Sequence, residues 1–166
     1  MAVPRLLPDT DPAVAALAYD LEQARATSYP LTFAVARLAG EPAQPAAALD
    51  ALAAELGYRG LGAAWIELPR RVAARLLVQL ISSELAYPAE VVPRAQAEAL
   101  AQRFLALVPP GARFFTNGAV SGEVAVYDSQ GEAVLGWRSI SEAPLDNGLV
   151  ALGGGRVAIL WAEDAP

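Results

Sequence analysis

The chain has 166 residues, a length suited to one domain that buries about two-thirds of the surface its unfolded form exposes. Hydrophobic residues make up 55% and charged residues 18%, which excludes a disordered chain and leaves an apolar surplus for a partner interface or a homo-oligomer. With 12 basic against 18 acidic residues and a net charge of −6, it lacks the basic stripe that phosphate backbones require, so no nucleic acid is expected and a basic protein partner is favoured.

The first helix signal is "DTDP", where Thr10 or Asp11 can cap, Pro12 suits the first turn, and Val14, Leu17 and Leu21 recur on one face. Leu31–Leu38 alternates as a strand, with Leu31, Phe33 and Val35 pointing one way. Ala46–Gly57 reads as a short alanine-rich helix closed by Gly57, and Leu61–Leu68 as a second strand. Strand, helix and strand across 31–68 are long enough for a right-handed parallel crossover. Pro69 opens the next helix, whose positions Val72, Ala73, Leu76, Leu77, Leu80 and Ile81 form a wide apolar face. Arg94–Val108 is a further amphipathic helix, ended by "PPG".

From Pro109 the pattern changes to short apolar runs between glycine-bearing turns, as in an antiparallel meander. Strands are expected near Arg113–Thr116, Glu123–Tyr127, Ala133–Ile140, Leu149–Leu152 and Val157–Ala162. The fold class is therefore α+β: a helical N-terminal two-thirds with one βαβ-like unit, then an antiparallel β-meander. Residues 1–166 form one layered domain, helix-rich over 10–108, with an antiparallel sheet over 112–163.

Three consecutive glycines, Gly153–Gly155, stand before Arg156. A phosphate cradle must feed a helix, and here "RVAILWA" follows, so the glycines make a hairpin turn with one of them left-handed at a bulge. Arg156 then starts a strand in solvent. "DSQG" (Asp128–Gly131) is likewise a turn, because Asp128 and Glu132 are too few ligands for a calcium loop. Asn-Gly turn chemistry also marks Thr116–Gly118 and Asp146–Gly148. A charge or proline interrupts every apolar run, Ala74–Ala86 included, so no membrane span is expected. The N-terminus lacks a signal-peptide pattern, and a cytoplasmic protein is the reading.

The missing residue types say most about chemistry. The chain has no histidine or cysteine, and every basic residue is arginine. That removes Ser–His and Cys–His nucleophiles, lysine Schiff bases, imidazole or thiolate metal sites, and the P-loop lysine. No cofactor motif is found. Glu67 shares a strand face with Trp65, so a raised pKa there would suit a carboxylate- or magnesium-dependent enzyme. Arg71 and Arg75, one helical turn apart, could grip a small anion, unless they are solvated and ion-paired, for instance to Glu67. The preferred partner surface comprises Trp137, Arg138, Asp146, Trp161, Glu163 and Asp164, which combine aromatic anchors with charge near strand ends. Each tryptophan also fits a core position. The whole profile is similar to that of small bacterial binding proteins such as immunity proteins, an analogy with no motif behind it. The functional expectation is a non-catalytic acidic protein-binding module, an inhibitor or adaptor for a basic partner. A small anionic-ligand-binding protein and a carboxylate enzyme are the alternatives.

Overall fold

A computed structural model describes residues 3–87, 89–120 and 124–166. The order is β1 (Leu6–Pro8), α1 (Pro12–Ala24), β2 (Leu31–Leu38), α2 (Pro45–Glu55), β3 (Ile66–Leu68), α3 (Arg70–Ser82), α4 (Arg94–Leu105), β4 (Arg113–Thr116), β5 (Gly118–Ala119), β6 (Gly136–Trp137), β7 (Leu145–Gly153) and β8 (Arg156–Asp164). A 3₁₀ turn, Gly62–Ala64, precedes β3. Among the described residues the architecture is α+β, with four helices, a six-stranded antiparallel sheet ordered β1-β2-β8-β7-β4-β3 and a separate β5-β6 pair. No described helix is long and apolar enough to cross a membrane.

Local chemistry accounts for the helix ends. Asp11 caps α1 by accepting a hydrogen bond from the Ala13 N–H at 2.9 Å, and Pro12 loses nothing in the first turn. The proline pair Pro109–Pro110 follows α4 closely, where the helix cannot continue. At the β7–β8 turn both Gly154 (φ 61°) and Gly155 (φ 74°) are left-handed, which makes a two-residue I′ hairpin without the expected bulge.

Strand alternation sends successive residues to opposite faces, and both faces are covered. On one, Phe114, Leu149, Ala151, Ala158 and Leu160 pack under α1, α3 and α4 through Leu17, Leu77, Leu80 and Phe104. On the other, Phe115, Val150, Val157, Ile159 and Trp161 pack under α2 and Trp65. Each fully buried large side chain contributes about 1.5–3 kcal/mol relative to exposure. The helical part and the sheet thus share two cores, one on each side of the sheet.

Several expectations are corrected. β2 and β3 run in the same sense, but β8, β7 and β4 stand between them, so no parallel neighbour pair forms. The sheet is not confined to 112–163: it recruits β1, β2 and β3 from the helix-rich part. Val124–Tyr127 is not a strand, Glu123 lies outside the described residues, and Tyr127 makes a single bridge to Ala133. Of Ala133–Ile140 only Gly136–Trp137 is extended and paired as a strand. Asn147 and Gly148 sit inside β7 rather than in a turn, because β8 pairs along its whole length. Arg156 is buried, not solvated: it binds Asp9 (2.7 Å), Asp11 (2.8 Å) and the Leu107 carbonyl (2.8 Å), which ties the hairpin to the segment before α1.

Both edges of the sheet resist further pairing. Pro8 lies on the outer strand β1 and offers no N–H for a ladder. Along β3, the Glu67 carbonyl already accepts the Ser129 N–H at 2.9 Å.

Candidate functional surface

The structure separates the six residues expected to form one surface. Trp161 is fully buried on β8, edge-on to Trp65 at 6.0 Å and tilted against Tyr58 at 6.3 Å. Its indole N–H finds no partner among the described residues. Asp146 is buried and accepts the N–H groups of Ile140 (2.9 Å) and Ser141 (2.7 Å), so it holds the 138–143 loop in place. Asp164, also buried, accepts the Ala86 N–H at 2.9 Å. Glu163 is half-buried and accepts from the Tyr58 hydroxyl at 3.2 Å. Burial, offset in part by a hydrogen bond to Thr32, pushes the Tyr58 phenol up to about 12. Three of the four charged positions are thus committed to internal bonds. Trp137 and Arg138 alone face solvent.

These two belong to a long excursion between β4 and β7, residues 117–144. Buried amides anchor its base. Asn117 donates to the carbonyls of Arg138 (2.9 Å) and Asp146 (3.0 Å), and Asn147 donates to the Asn117 side-chain oxygen (2.9 Å) and the Gly118 carbonyl (2.8 Å). A buried polar network with its donors filled holds one geometry, since each unmade bond would cost desolvation. The β5–β6 pair stands on this base. Asp128 closes the tip as expected for a turn, accepting the N–H groups of Gln130 and Glu132, both at 2.9 Å.

The excursion presents apolar side chains outward. Leu135 is 90% exposed, Tyr127 45% and Trp137 38%, although Val126 beneath them is buried in the helix-side core. Beside them runs a groove of about 340 Å³, lined by Ala119, Val120, Val124, Val126, Tyr127 and Val134. Tyr127 and Leu135 lie outside the expected surface because in sequence both fall in stretches that read as paired strands, Glu123–Tyr127 and Ala133–Ile140. Exposed Glu132, Glu142 and Arg138 give the surface a mixed polar rim.

The remaining candidates separate as well. Arg113 grips Glu67 with two hydrogen bonds, at 2.7 and 2.9 Å, and this pairing holds the Glu67 carboxyl below its usual range, opposite to the rise a general acid needs. Arg71 and Arg75 are exposed on α3, and among the described residues neither has an ion-pair or hydrogen-bond partner. Among the described residues no group of three or more acidic side chains is placed to hold a metal ion. Comparison with known protein families, curated proteins and solved structures finds no match.

Proposed function

We propose that this chain is a non-catalytic binding module that engages a protein partner through the outward face of the 117–144 excursion. The observation that carries the reading is Trp137, exposed on the hydrogen-bonded β5–β6 pair, and Leu135, exposed just before that pair, with Tyr127 on the same excursion. Aromatic and apolar side chains gathered on one exposed face are common anchors of an interface. The blocked sheet edges support docking by side chains rather than by strand addition. The net charge of −6 would steer a basic partner toward it, as an inhibitor or an adaptor requires.

Capture from the native cell lysate with tagged protein, followed by affinity measurement on the purified partner, tests this. Trp137→Ala combined with Leu135→Asp should weaken binding by about thirtyfold or more, the loss of a strong anchor, and leave the melting temperature unchanged. A partner bound equally well by the double variant would place the interface elsewhere.

A further inference from the structure

Helix α3 carries three arginines, Arg70, Arg71 and Arg75, and no acidic residue, in a chain where acidic residues outnumber basic ones 18 to 12. Arginines near a helix N-terminus oppose its dipole, so the arrangement is mildly unfavourable unless something compensates. Arg70 is compensated: it donates to the Leu105 and Pro109 carbonyls and lies over the Phe114 ring. Arg71, also in the first turn, has no ion-pair or hydrogen-bond partner among the described residues, and neither has Arg75, one turn further on. Glu67, the carboxylate nearest to them in sequence, is taken by Arg113.

Between α3 and α4 lies an open depression of about 450 Å³. Ala74, Val78, Ala95 and Ala99 make its floor, and Arg75, Arg94 and Gln102 stand on its rim. Glu98 is the one acidic lining residue, and it is engaged with Arg94 at 3.1 Å. The floor is apolar, and the charge beside it without a partner among the described residues is positive: Arg75 on the rim, and Arg71 one helical turn before it, outside the lining. We infer that this face docks an acidic amphipathic segment of another protein, its apolar side chains on the alanine–valine floor and its carboxylates on Arg71 and Arg75. Guanidinium groups suit carboxylates because their parallel N–H donors match the two oxygens. A nucleic acid fits less well: two free arginines on a chain of net charge −6 offer few phosphate contacts. Together with the apolar excursion, this second face would make the molecule an adaptor with two unlike partners.

The test uses two labelled helical peptides, one with leucines on one face flanked by glutamates, the other with each glutamate replaced by glutamine. Anisotropy titration of the full chain should show binding of the acidic peptide that weakens with salt and falls by about tenfold or more in Arg71→Glu/Arg75→Glu. Trp137→Ala should leave this binding intact, which separates the two faces. Equal binding of both peptides, no binding of the acidic one, or unchanged binding in the double variant would each overturn the inference. So would a single-stranded oligonucleotide that binds as tightly and is lost in the same variant, because the face would then read polyanions in general. The two arginines point into solvent, so an unchanged melting temperature is expected and shows that the variant is folded.

Discussion

At the scale of single residues, the cluster around Asp9 has the clearest consequence for solution behaviour. Burial alone would push the Asp9 carboxyl up, but hydrogen bonds from Arg156 and from the Asp11 N–H, with the charges of Arg156 and Arg37, hold it below its ordinary 3.8. A depressed carboxyl stabilises the fold above its unfolded pKa, and that stabilisation is lost as pH falls through the folded value. Unfolding measured against pH should therefore show stability declining as pH drops below 3.8, and Asp9→Asn should flatten that decline. An identical acid limb in the variant would show that the cluster is not the source. None of this was legible in one dimension. Arg156 reads as a strand-start residue beside a turn, and its partners Asp9 and Asp11 lie at the other end of the chain. Glu67 misled for the same reason: its neighbour Trp65 was visible in the sequence, while Arg113, which sets its charge state, was not.

At the scale of elements, the β7–β8 hairpin shows how a glycine can serve packing rather than turning. Gly148 sits mid-strand opposite Trp161, and a Cβ there would meet the indole ring and the Leu160 carbonyl. The tryptophan lies across the space the missing side chain leaves. Gly148→Ala should force the ring or the strand to move and cost about 1–3 kcal/mol in a denaturant titration, as overpacking of a dense core does. A loss near zero would mean that the indole has room to shift. The second half of β7 and most of β8 are legible in sequence, because β8 is an unbroken β-branched and aromatic run and the glycine turn before it can lead only from one strand to another. Leu145–Gly148 of β7, in contrast, carries turn chemistry and reads as a loop. The excursion before β7 reads in sequence as two more strands, of which only Gly136–Trp137 pairs as one. Its residues have similar propensity, but their pairing depends on the amides of Asn117 and Asn147, which do not announce themselves in sequence.

At the scale of the whole molecule, one buried arginine joins elements distant in sequence. Arg25, 3% exposed, donates to the carbonyls of Leu80, Ile81 and Ser83 at the end of α3 and to that of Tyr29 before β2. The carbonyl end of a helix carries partial negative charge, which accounts for a buried guanidinium held by carbonyls rather than by a carboxylate. Arg25→Met keeps much of the side chain's bulk but strands those carbonyls, so a loss of about 2–4 kcal/mol in chemical unfolding is expected. Stability within experimental error of wild type would mean that water serves the carbonyls equally well. The sequence by itself determined the α+β class, the four helices with their apolar faces, the terminal hairpin, and the absence of histidine, cysteine and lysine chemistry. These follow from periodicity, capping and residue inventory, all of which act over a few positions. Only the tertiary structure decided the strand order, the two-sided burial of the sheet, and which polar residues remain free. Asp146, Trp161 and Asp164 went inward, while Tyr127, Leu135 and Trp137 stayed out. Those outcomes depend on which distant segment covers each position, and a linear pattern records what a residue prefers but not what arrives to meet it.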